Sequence, residues 1–176
     1  MRTFAFSAAA VAVIAVAAPA AAQDWSNPSW YVSGGYANVS ADDADVSLDA
    51  VTARVGARFS PHFGAEAELS VGLGDEDVAP GVDVNLNYDA ALYAVAVAPV
   101  SPNFELFGRF GYGTSELEAS GGGLTLAEDG DSWNYGVGAN YFFDGLNGVR
   151  ADYTRRDFQD DGGEANVWTI NYVRRF

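Results

Sequence analysis

Apolar and polar residues alternate one by one through most of this chain, in eight separate runs. Successive side chains of a β-strand point to opposite faces, so a period of two means a sheet with one apolar face. Helical spacing is hard to find. The apolar sets are Trp30, Val32, Tyr36; Val51, Ala53, Val55, Ala57, Phe59; Phe63, Ala65, Ala67, Leu69, Val71; Leu106, Phe110, Tyr112; Trp133, Tyr135, Val137, Ala139, Tyr141, Phe143; Val149, Ala151, Tyr153; and Trp168, Ile170, Tyr172. The fourth run in chain order, Asn87 to Ala98, is almost wholly apolar, so its faces are ambiguous. Tyr93, Val95 and Val97 are taken as its outward set.

The connections fall into two kinds. Ser60-Pro61-His62, Ser101-Pro102-Asn103 and Asp144-Gly145-Leu146-Asn147 are tight, and Pro, Gly, Asn and Asp are the residues turns require. Ser40 to Asp49, Gly74 to Leu86, Ser115 to Asp131 and Asp157 to Glu164 read as long polar loops. Long and short alternate strictly, as in an up-and-down meander with all long loops on one rim.

Residues 1–22 stand apart. Arg2, the apolar run Ala8 to Ala18, Pro19 and the small residues Ala20-Ala21-Ala22 read as a secretory signal peptide cleaved after Ala22. The folded unit is then 23–176. It has no cysteine, so disulfides do not hold it. No stretch of it reaches the ~20 apolar residues of a membrane helix, but each run is near the ~9–11 residues with which a tilted strand crosses a bilayer.

The other face of the sheet decides which side meets oil. It carries Arg54, Arg58, Glu66, Glu68, Arg109, Arg150 and Asp152 among many glycines. An eight-stranded barrel has an interior just wide enough for side chains. Glycines leave room there for long Arg and Glu side chains, and near-balanced charges can pair. With Trp, Tyr, Phe, Val and Leu outside and rings near the strand ends, the pattern fits a membrane barrel with aromatic girdles. A soluble secreted barrel or sandwich would reverse the faces, and alternation alone does not exclude it. The expectation is an all-β, eight-stranded antiparallel up-and-down transmembrane β-barrel, monomeric, closed by pairing the last strand with the first so that no edge is left in lipid.

The stretches "WYVSGGYA", "ARVGARFSPHFGAEAELS", "FGRFGYG", "WNYGVGANYFF", "GVRADYTRR" and the final Phe176 resemble the small outer-membrane β-barrel family, which includes the outer membrane protein A-like transmembrane domain and the porin-family and opacity-type proteins. The resemblance covers residues 23–176. It implies location in the outer membrane, with both termini on the periplasmic side and contact with its lipid and lipopolysaccharide. Phe176, with Tyr172, Ile170 and Trp168 upstream on one face, resembles the signal such barrels present to the barrel assembly machinery. Arg174 stands where that signal usually has Tyr. No residues remain after the barrel for the peptidoglycan-binding domain of outer membrane protein A, so wall tethering is not expected.

Several chemistries are disfavoured. There are 24 Asp and Glu against nine basic residues, all Arg, for a net charge of −15. That argues against nucleic acid, whose phosphates need cations. The one histidine, His62, lies in a tight turn on the side opposite lipid A, so a lipid A-modifying enzyme built on it is the weaker alternative. One His and no Cys give no transition-metal set. Gly108, Gly111 and Gly113 sit inside a strand and make space there. The long loops hold most of the acid. They serve as a solvated surface or as oxygen donors to divalent cations, but none has EF-hand spacing. No catalytic, cofactor or metal residue is named. The expected role is structural or surface-interacting, with a lumen plugged by charged side chains; the alternative is a narrow pore for ions or small solutes.

Overall fold

In a computed structural model, which describes residues 28–41, 47–73, 76–79, 82–121, 124–159 and 163–176, the chain is a closed antiparallel barrel. Its strands are β1 (Ser29–Ala41), β2 (Ser47–Arg58), β3 (Phe63–Gly72), β4 (Glu76–Ala79), β5 (Val82–Pro99), β6 (Phe104–Gly121), β7 (Leu124–Phe142), β8 (Asn147–Phe158) and β9 (Glu164–Arg175). Eight form the wall in the order β3-β2-β1-β9-β8-β7-β6-β5, and β3 pairs with β5 to close it. Among the described residues, short β4 pairs only with the start of β5. Residues 1–22, including the signal-peptide reading, lie outside the described residues.

The last strand does pair with the first. β1 and β9 run in register from Tyr31↔Arg175 to Ala41↔Ala165. The backbone amide of Phe176 donates to the Trp30 carbonyl at 2.9 Å, and that of Arg175 donates to Leu146 on the other side at 2.8 Å. The aromatic end is thus bonded into the wall.

The tight turns are where the sequence places them. In the last, Asp144 Oδ1 accepts from the amides of Leu146 (2.9 Å) and Asn147 (2.6 Å), and Gly145 takes φ +83°, the left-handed region glycine tolerates. These two bonds, with a third from the Asn147 side chain (2.7 Å), hold the Asp144 carboxyl down at about 2.

The long polar connections are shorter than the sequence suggests. β6 and β7 stay paired from Phe104↔Tyr141 out to Gly121↔Leu124, through most of what reads as a loop over 115–131. β5 begins at Val82, inside the expected loop 74–86, and β1 and β2 approach to Ala41 and Ser47. Acidic, glycine-containing sequence marks polarity, not irregular backbone; a two-stranded ladder in water needs no apolar face once the wall below fixes its register. β8 stops pairing with β7 at Ser132↔Phe158 and β3 stops pairing with β5 at Ser70↔Asp89. Strands β4 to β7 therefore rise past the wall as a sheet on one side of the barrel.

The faces of seven runs match the alternation. The fourth does not: Tyr93, Val95 and Val97 point inward and are buried, while Leu92 is half-exposed on the outside. Cross-strand partners share a face, and Tyr93 lies opposite inward Glu66 while Ala91 lies opposite inward Glu68. Both parities of this run are apolar, so hydrophobicity could not set the face. Asp89 does: it is buried in the lumen against Arg156, and every second residue after it follows.

Candidate functional site: the lumen and the two rims

Apolar side chains are outside and charges are inside. Val137 (63% exposed), Ile170 (60%) and Trp168 (61%) stand on the outer wall, whereas Arg150 and Glu66 are each 2% exposed. A soluble barrel would show the reverse. Rings gather at two heights on that wall. Trp30, Phe63, Tyr141, Phe143 and Tyr172 lie toward the turns; Tyr36, Tyr112, Trp133 and Trp168 lie toward the long connections. Trp133 stacks on Phe110 (centroids 5.4 Å) and meets Tyr112 edge-on (5.1 Å). On β7, Trp133 and Tyr141 are eight residues apart, which at ~3.4 Å per residue and a ~40° tilt separates the belts by roughly 20 Å. That is close to the ~25 Å apolar band of outer-membrane barrels.

Inside, the central charges form one network. Arg54 Nε donates to Glu68 at 2.5 Å and its Nη1 to Asp152 at 2.7 Å, across the lumen from β2 to β8. Arg109 Nη1 donates to Glu68 (2.6 Å) and Glu66 (3.2 Å), and its Nη2 to Thr154 (2.6 Å) and Asp152 (3.2 Å). Arg150 clasps Glu66 with two bonds (2.6 and 3.2 Å) and reaches Asp152 with Nε (3.0 Å). Arg156, which the sequence reading omitted, pairs with Asp89 and lies 3.4 Å from Glu68. Four arginines (54, 109, 150, 156) thus face four carboxylates (66, 68, 89, 152), all buried. Buried charge is tolerated only when paired and hydrogen-bonded.

Arg58 is not part of this network. It sits at the turn-side rim, where its two Nη atoms donate to Glu105 at 3.0 and 2.5 Å. Arg175 pairs with the same carboxylate. Glu105 therefore joins the rim rather than the central balance.

Apolar clusters flank the column at both ends. Tyr31, Phe142 and Val173 cluster toward the turns, and Ala37, Leu48, Ala50 and Val167 toward the long connections. Three glycines, Gly56, Gly111 and Gly138, make room for rings rather than for Arg and Glu; Gly113 makes room for the Asn134 amide, whereas Gly108 has the parity of outward Leu106 and Phe110, with nothing nearer than 3.9 Å, and makes no space in the lumen. A Cβ on Gly56 would lie 2.1 Å from Tyr31 Cζ, on Gly138 2.4 Å from Phe107 Cζ, and on Gly111 2.7 Å from Tyr93 Cδ1. Each is the cross-strand partner of its ring. The rings in turn seat the charges: Arg109 lies over Tyr93 (4.3 Å), Arg150 over Phe107 (4.0 Å), and the Tyr31 hydroxyl donates to Glu66 at 2.8 Å.

Trp168, Ile170, Tyr172 and Phe176 share the outer face, and the Arg174 guanidinium lies 5.5 Å over the Phe176 ring. His62 is exposed in its turn, with its backbone amide donating to Ser60 Oγ at 3.2 Å. Among the described residues no group of three or more His, Asp or Glu is placed to hold a metal ion.

The match to known families is unambiguous: residues 6–176 fit the outer membrane protein beta-barrel domain. The chain belongs to that family. It is a small outer-membrane β-barrel, and its apolar wall faces lipid. Solved barrels share the fold. The attachment invasion locus protein Ail of Yersinia pestis is 17% identical with a TM-score of 0.65, over 85% of this chain and 99% of that one. Neisserial surface protein A is 11% identical (TM-score 0.66; 85% and 97%). The N-terminal barrel of Pseudomonas aeruginosa OprF is 12% identical (0.63; 85% and 100%). No curated protein matches the chain.

Proposed function

We propose that this barrel is a non-enzymatic display scaffold, sealed against solutes, whose acidic outward hairpins act by surface interaction. The carrying observation is the lumen: four arginines and four carboxylates brace it from β2, β3 and β5 to β6 and β8, with apolar clusters above and below. With the interior occupied, the accessible surface is the sheet formed by β4 to β7 and the acidic connections beside it. The bilayer sets which rim is outside: both chain ends and the tight turns stay periplasmic, and residues 1–22 serve as a cleaved export signal. The barrel works as a monomer, in contact with outer-membrane lipid and lipopolysaccharide, and Trp168, Ile170, Tyr172 and Phe176 present it to the assembly machinery.

Ail is by its name an attachment and invasion protein, and it has been seen with the heparin analogue sucrose octasulfate. Attachment suits a displayed sheet here too. A polyanion does not, because this chain carries −15 and its central arginines are already paired. A cationic partner is the better electrostatic match. The test compares cells expressing the native chain with cells in which the acids of the long connections, Asp42, Asp43, Asp45, Asp75, Glu76, Asp77, Glu118, Glu128, Asp160 and Asp161, are replaced by Asn or Gln. Both proteins should reach the membrane folded. Attachment to a polycation-coated surface should rise only with the native chain; equal attachment would overturn the proposal.

A further inference from the structure

We infer that the periplasmic mouth of the lumen holds a small monovalent anion, with chloride as the type. A cavity there is lined by Arg58, Arg150 and Arg175 together with Asn140, Tyr31 and Phe142, and no carboxylate is among its lining residues. It has about 10 Å³ open to the centre of a water-sized occupant, room for a single small occupant once the rim side chains adjust and none for a phosphate ester.

Charge and donors both point to an anion. The central network balances four against four, but at the mouth Arg58 and Arg175 share one carboxylate, Glu105, leaving one positive charge. A guanidinium has five N–H donors. Arg150 spends one each from Nε, Nη1 and Nη2 on Glu66 and Asp152, and Arg58 spends two on Glu105, so both keep donors. The Phe142 ring lies 3.5 Å under the Arg175 guanidinium and Phe107 4.0 Å under Arg150, so the ring faces fix the planes of two cations. Asn140 lies beside these cations. Its side chain is buried (6% exposed) and lines the cavity, and its Oδ1 has no hydrogen-bond partner while Nδ2 makes only a 3.5 Å contact with Glu105. As placed, that oxygen is an acceptor and gives no support to an anion; the donor left without a hydrogen-bond acceptor at the mouth is Arg175 Nη2, ion-paired with Glu105 but making no hydrogen bond.

The test measures urea unfolding of the barrel in lipid vesicles at one ionic strength, in sodium chloride and in sodium gluconate, whose anion is too large for the cavity. The midpoint of the native chain should be higher in chloride and should saturate as chloride replaces gluconate. In Arg175→Gln the difference between the salts should vanish. Equal midpoints for the native chain in both salts would overturn the inference. Should Arg175→Gln fail to fold, bromide-soaked crystals of the native chain decide: an anomalous peak among Arg58, Arg175 and Asn140 supports the site, and a mouth without one refutes it.

Discussion

Replacing Glu66 with Gln should cost the barrel about 3–5 kcal/mol, because it removes one partner of a buried pair and leaves cations uncompensated. Glu66 accepts from Tyr31 (2.8 Å), Arg109 (3.2 Å) and twice from Arg150 (2.6 and 3.2 Å), with no side-chain exposure. Gln keeps the shape but offers one acceptor where there were two, and its NH₂ turns toward guanidinium donors. The central balance becomes four positive against three negative. Arg109 retains Glu68 and Asp152, but Arg150 keeps only its 3.0 Å bond to Asp152, so most of the loss falls there. Urea unfolding in vesicles, followed by tryptophan fluorescence and by mobility of unboiled samples in SDS gels, reads the change. With a typical slope of ~1–3 kcal/mol per molar urea, the midpoint should fall by at least about 1 M. The double variant Glu66→Gln/Arg150→Gln restores three against three and should recover more than half of the loss, a coupling that a double-mutant cycle isolates. A single variant within about 1 kcal/mol of the native chain would refute the network as a stabilising brace.

Other perturbations separate the faces and the ends. Gly56→Ala should cost ~1–3 kcal/mol by driving a methyl into the Tyr31 ring, whereas Gly34→Ala, whose nearest neighbour is the Thr52 carbonyl at 3.5 Å, should change the unfolding midpoint little. Val137→Arg, midway between the belts on the outer wall, should cost ~2–4 kcal/mol in vesicles, while a small effect would mean that β7 does not face lipid there. Asp144 has a folded pKa depressed to about 2 from an ordinary 3.8, so its contribution is complete above pH 4 and is lost as pH falls toward 2. Asp144→Asn should therefore flatten the acid limb of stability between those values; an unchanged limb would rule the cap out as its source.

How much of this was legible in the sequence varies with what each residue had to contrast with. Seven strands declared their faces because polar and apolar residues alternate in them, and the charges at 54, 66, 68, 109, 150 and 152 fell on one side as a result. Residues 87–98 gave no contrast, and the one informative residue, Asp89, lies near the start of the run. Arg156 escapes a reading based on the apolar face because the apolar set of its strand stops at Tyr153, although it continues the inward series Arg150, Asp152, Thr154 at the same period. The Gly–ring pairs were out of reach for a different reason: pairing Gly56 with Tyr31 depends on register between strands, and one strand's alternation does not supply it.

The central claim is that the lumen is shut by its own side chains. Single-channel recording of the purified barrel in a planar bilayer tests it most directly. Silence from the native chain, with currents appearing only when the brace is cut by Glu66→Gln or Arg109→Gln, is the predicted result. Steady discrete conductance from the native chain would contradict the sealed barrel and make it a narrow pore.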